Sequence, residues 1–185
     1  MFKKRDFMDI IQLLFNSIIY ILPAYIANAS ACVFGGGTPL DGGKNFIDGR
    51  RLIGNGVSFK GTFFGLLCGT IASILEGIII NLNIVGNIAF YFNTFEWAYV
   101  GFLLSLGALF GDMFGSFIKR RMGLAQGKPA PILDQVGFVI FAILFAYPVV
   151  PIPLDMIIVL LIITPLVHLS ANIIAYKLGL KDVWW

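Results

Sequence analysis

Charge is the first thing missing from this sequence. Asp, Glu, Lys and Arg make up 12% of its 185 residues, about half the roughly 25% usual in soluble domains, so the chain cannot cover a water-facing surface. Histidine is scarcer still. The one histidine, His168, lies inside an apolar run and leaves a serine or cysteine triad without its base; it reads as a satisfied polar group. Cysteine occurs twice, as Cys32 and Cys68, without metal-ligand spacing, and both read as packing residues. No GxxxxGK[ST] run is present, which excludes an ATPase of the P-loop class. The net charge of +3 is accounted for by membrane topology, so no nucleic-acid partner is expected.

What the sequence has instead is apolar length: 58% apolar side chains and 21 glycines. A bilayer core of about 30 Å is crossed by about 20 helical residues. Five runs meet or approach that length: 10–34, 61–81, 97–118, 132–147 and 156–176. The fourth is short, and Pro23 in the first invites a kink. The reading is an all-α integral membrane protein of five transmembrane helices forming a single domain over 1–185, with two structured loops at about 35–60 and 119–131. The first run is too long, and too close to other spans, for a cleaved signal peptide.

Basic residues set the orientation. Three (Lys3, Lys4, Arg5) flank the first span on one face, and ten lie on the other: Lys44, Arg50, Arg51, Lys60, Lys119, Arg120, Arg121, Lys128, Lys177 and Lys181. The positive-inside rule puts the two loops and the C-terminus in the cytoplasm and the N-terminus outside. Trp97, Tyr99, Trp184 and Trp185 fall near span ends, where aromatic rings anchor at the headgroups.

Small residues recur at helical spacing: Gly61, Gly65, Gly69, Ser73 and Gly77 in the second span, and Gly101, Ser105, Ala108, Gly111 and Gly115 in the third. Such stripes let another helix approach closely and read as architecture. The polar residues say more. Asp112, Ser116 and Lys119 are spaced i, i+4, i+7, with Arg120 at i+8, so they share one helix face that rises to the cytoplasmic surface. Read plainly, Lys119, Arg120 and Arg121 anchor the topology and Asp112 pairs with them. Asp134 changes the balance. It opens the fourth span 22 residues after Asp112, across a connection too short for a domain, so two antiparallel helices would bring both acids to one depth. Two carboxylates plus substrate phosphates are a usual way to hold Mg²⁺, and intramembrane acids mark functional sites by default.

The first loop, Gly35 to Gly61, holds nine glycines and four Lys or Arg in 27 residues. Glycines bring backbone N–H groups close to an anion, and the cations add charge-assisted bonds to phosphate. Interleaved Leu40, Phe46, Ile47, Leu52, Ile53 and Phe59 set it apart from a bland linker and predict that it packs.

Two runs, GGGTPLDGGKNFIDGRRLIGNG and GDMFGSFIKRRMGLAQGKPAPILDQVGF, resemble those of the archaeal CDP-archaeol synthases. The second is also similar to a shortened form of the signature of CDP-diacylglycerol synthases. The likeness covers both loops and the five-span layout. It implies a Mg²⁺-dependent enzyme that joins CTP to an isoprenoid glycerol phosphate lipid, giving CDP-archaeol and pyrophosphate. It makes Asp112 and Asp134 the metal ligands and, with Lys119 and Arg120, the catalytic set. Nucleotide binding would fall to Gly36, Gly37, Thr38, Pro39, Asp41, Gly42, Gly43, Lys44, Asp48, Arg50, Arg51 and Asn55 of the first loop, with Ser116 and Lys128. The isoprenoid chains would stay among the membrane lipids, in a groove beside the glycine stripes. Departures exist: Lys128-Pro129 stands where the diacylglycerol enzymes have Lys-Asp, their His-Gly-Gly segment is missing, and Val57-Ser58 stands where many archaeal members have Lys-Thr. Asp48-Gly49-Arg50-Arg51 opens like the CDP-alcohol phosphotransferase motif, but Leu52 and Ile53 break it, and that family is rejected.

A different class stays open, a small transporter or channel for an anionic solute or lipid headgroup. It would carry an internal repeat and midplane polar groups; no repeat is found, and apart from Glu76 the charges gather on one face. A homodimer stays open as well.

Overall fold

The computed structural model describes residues 4–82, 92–180 and 183–184, with side chains from Asp9 onward. Lys3, Lys181 and Trp185, and the side chains of Lys4 and Arg5, lie outside the described residues. Five helices follow in order: α1 Lys4–Val33, α2 Phe59–Asn81, α3 Thr94–Arg121, α4 Pro131–Ala146 and α5 Leu154–Lys177. All except α4 are long and apolar enough to cross a membrane. The chain is a multi-pass membrane protein.

Local sequence sets the ends. Ser58 caps α2, its hydroxyl accepting from the Gly61 N–H. A capping box joins Asn93 and Glu96 at the start of α3, satisfying two otherwise orphaned N–H groups. Pro131 starts α4, where its missing N–H costs nothing. The third helix outruns the predicted span at both ends. At its C-terminus Lys119, Arg120 and Arg121 form the last turn, where cations complement the exposed carbonyls; a hydrophobic run alone could not mark that turn.

The core joins α1, α3 and α4 around Ile21, Ala24, Leu104, Ala108, Phe138 and Val139, with Met156 and Leu160 of α5 closing one side. Small residues set the approach of the helices. A Cβ on Gly65 would meet the Ala27 carbonyl oxygen of α1 at 2.8 Å, and one on Gly111 would meet the Phe138 Cα of α4 at 2.7 Å. At Gly65 and Gly69 of one stripe and Gly111 of the other, neighbouring helix backbones fill the space, so the expectation of lipid chains lying beside the stripes is corrected there: helix packing has taken it. Trp97 differs too. Its ring packs inward over Gly77 and is 3% exposed, while Tyr99 and Trp184 are exposed. Glu76 is buried in α2, and neither carboxylate oxygen has a hydrogen-bond partner among the described residues.

Candidate active site

The first loop builds one wall. It folds around Asp41, whose carboxylate is buried and accepts from the N–H groups of Gly43, Ile53 and Gly54 at 2.8–3.0 Å and from Arg51 at 2.8 Å. Burial works against this charge, but the guanidinium and the three N–H groups win and hold the carboxyl well below the usual carboxylate range. Two turns around this hub need glycine: Gly42 and Gly54 have φ of 57° and 107°, a region that side chains disfavour.

The loop is pinned to the end of α3. Arg50 donates to the carbonyls of Arg120 and Arg121, capping the negative end of the helix. Arg121 lies over both the Phe46 and Phe117 rings, 4.9 Å from each centroid, and pairs with Asp48 at 3.0 Å. The Asn55 N–H reaches the Gln126 side chain at 3.2 Å, tying the first loop to the second.

Beside this junction lies a cleft of about 380 Å³. Its walls come from α1 (Asn28, Ala31, Cys32), the start of α2 (Gly56 to Ser58, Gly61, Thr62), α3 (Asp112, Gly115, Ser116, Lys119), the second loop (Gly127 to Pro129), α4 (Pro131, Asp134, Gln135) and α5 (His168, Asn172). Lys119 donates to Asp134 at 2.6 Å, and the second Asp134 oxygen accepts from the Ala130 N–H at 2.9 Å. Asn28 donates to one oxygen of Asp112 at 2.6 Å. Asp112 lines the same cleft as Lys119 and Asp134. The positive ends of α2 and α4 also open here, and helix N-termini favour anions.

Of the residues singled out in the sequence, Asp112, Asp134, Lys119, Ser116 and Lys128 meet in this cleft. The others do not line it. Gly36, Gly37, Thr38, Pro39, Asp41, Gly42, Gly43, Lys44, Asp48, Arg50, Arg51 and Asn55 lie in the loop, several as its internal fastenings. Arg120 faces away and donates to the Ala125 carbonyl, because one further residue turns the helix by about 100°. Asn28 and Asn172 are cleft residues that sequence reasoning passed over, and His168, read there as a satisfied polar group, lines the cleft as well. The signal was there for Asn28, an amide in a run without charge.

The arrangement suits a polyanion: two lysines and two helix N-termini around two carboxylates. Among the described residues no group of three or more His, Cys, Asp or Glu forms a complete cation site. Two carboxylates with hard oxygen donors fit Mg²⁺ when a substrate's phosphates complete the shell. That donor set is common to much phosphate chemistry, and the comparisons narrow it. The model of the CarS-like CDP-archaeol synthase family matches residues 10–185. This chain belongs to the CDP-archaeol synthase family. The CDP-archaeol synthase of Methanococcus aeolicus is 72% identical over 178 residues, 96% of this chain and 100% of that one. The CDP-archaeol synthase of Methanocaldococcus jannaschii is 59% identical over 174 residues, 94% of this chain and 98% of its own. A solved structure of an intramembrane enzyme for archaeal membrane lipid biosynthesis superposes with a TM-score of 0.71 at 37% identity, covering 84% of this chain and 92% of that one. CDP-archaeol synthases are thus similar to this chain along nearly its whole length, and the matched range, residues 10–185, contains the cleft.

Proposed function

We propose that the chain transfers the cytidylyl group of CTP to the phosphate of an isoprenoid ether lipid, giving CDP-archaeol and pyrophosphate. The observation that carries this reading is that Asp112 of α3 and Asp134 of α4 open on one cleft with Lys119 and Lys128. The transport alternative gains nothing from that arrangement, since the polar groups line a pocket at one end of the helices.

The chemistry follows from charge. A phosphate monoester has a second pKa of about 6, so at neutral pH it is mostly a dianion and needs no general base. Its oxygen attacks the α-phosphorus of CTP, a new P–O bond forms, the bond to the bridging β-phosphate oxygen breaks, and pyrophosphate leaves with the electron pair. Positioning and charge neutralisation dominate such transfers. Asp112 and Asp134 would hold Mg²⁺, which when bound supplies charge to the phosphates and the leaving group. Lys119 and Lys128 supply further positive charge, and Asn28 fixes the Asp112 carboxylate. The N-termini of α2 and α4 add the positive ends of two helix dipoles. With ten basic residues on that face, the cleft opens to the cytoplasm, where CTP is available.

The test is direct. Purified protein given labelled CTP, Mg²⁺ and the lipid phosphate is expected to release pyrophosphate and form CDP-lipid in equal amounts, with no turnover in chelator. Absence of product, alongside anion flux in proteoliposomes, would overturn the reading in favour of transport.

A further inference from the structure

A second cavity of about 170 Å³ borders the cleft, and the two share Asn28, Cys32, His168 and Asn172. It runs between α1 and α5. Ala29 and Ala171 leave it room, Phe138 of α4 forms its floor, and Val33 and Val167 stand at its edge. Those two valines are exposed, so the groove faces the hydrocarbon sideways. Where the two spaces meet, His168 and Asn172, one turn apart on α5, are hydrogen-bonded at 3.3 Å, a polar pair between an apolar trough and a cationic cleft.

We infer that this groove takes the first part of one isoprenoid chain of the lipid phosphate, with the His168–Asn172 pair at the level of its glycerol and ether oxygens. The assignment rests on the cytidylyl-transfer reading above. Three observations favour it. A ligand anionic at one end and apolar at the other matches a space with Lys119 and Lys128 at one end and an apolar trough at the other. The two cavities are adjacent and share four lining residues, so a phosphate in the cleft places its chain next to the groove. The competing place, beside the glycine stripes, is filled at Gly65, Gly69 and Gly111 by the backbones of α1 and α4. At about 170 Å³ the groove holds only the start of one chain, and the remainder lies in the bilayer.

The test uses a native reporter and one variant. Cys32 lines both cavities, whereas Cys68 lies on α2 outside them. In the wild type, a glycerol phosphate bearing two isoprenoid chains is expected to slow alkylation of Cys32 by N-ethylmaleimide severalfold. Cys68 serves as the unaffected reference, and glycerol phosphate alone should leave Cys32 reactive. Equal protection by the phosphate-free diether would make the groove a contact for bulk lipid and overturn the proposal. Ala171→Trp, which fills the groove, is expected to raise KM for the two-chain substrate by about tenfold, a difference of about 1.4 kcal/mol, with KM for CTP unchanged. An active wild type with no such change in Ala171→Trp sinks the groove assignment alone. A wild type that forms no CDP-lipid, while Cys32 is still protected, sinks the reaction and leaves the groove standing.

Discussion

The loop–helix junction and the cleft beside it are built from the same residue types and use them in opposite ways. At the junction every arginine side chain is spent on the protein itself: Arg50 on the carbonyls of α3, Arg51 on Asp41, and Arg121 on Asp48 and two phenylalanine rings. In the cleft the cations are lysines. Lys128 is exposed, and Lys119 holds Asp134 by a single ammonium contact. Arginine's planar fork suits fixed, multiply bonded roles, while lysine is a compact charge on a flexible stem. The difference separates a scaffold whose charges are used up from a site whose charges can be lent to a substrate.

The sharpest way to break that comparison is Asp134→Ala. Turnover is expected to fall at least about 100-fold while the thermal midpoint in detergent stays near that of the wild type; substantial residual activity would remove Asp134 from the site. Asn28→Ala comes next. Loss of a group that orients a ligating carboxylate costs about 10- to 100-fold in metal affinity or activity, so the Mg²⁺ or Mn²⁺ concentration needed for half-maximal effect should rise, and direct Mn²⁺ binding should weaken with it. Unchanged metal dependence would leave the Asn28 contact a packing detail. The smallest catalytic effect is expected from Asp41→Asn, which acts on the scaffold. With its carboxyl held below the ordinary value of about 3.9, Asp41 stays ionised in the folded protein at pH values where the unfolded chain takes up a proton. Its stabilisation is complete above about pH 4 and is lost as pH falls through the depressed value. Wild type should therefore outlast Asp41→Asn on heating at neutral pH, and the gap should close in acid. A gap independent of pH would show that charge is not what holds the loop.

The spans were legible because hydrophobic length is a property of neighbouring residues, and the short connection between α3 and α4 leaves Asp112 and Asp134 on one cleft. The duties of Arg50 and Arg121 were not. Arg50 was read as a nucleotide-binding residue and Arg121 as a topology anchor, and only the place where the loop lands against Phe117 and the end of α3 shows which protein groups they hold. Asn28 stands 84 residues from Asp112, so nothing local announces the contact. Trp97 was misplaced for a related reason: nearness to a span end suggests the headgroups, but Gly77 offers the indole a seat indoors.

One dimension of the bundle has a wider consequence. The sixteen residues of α4 rise about 24 Å, about 6 Å short of a typical hydrocarbon thickness. Past its last turn Val150 and Ile152 are buried in the core and continue the greasy path, so the shortfall is felt at the Pro131 end, where the acids are. A span this short is matched to a bilayer by local thinning, by snorkelling of its flanking residues or by association. The longer helices beside it carry the full hydrocarbon thickness, so the step in length falls where Asp134 opens α4.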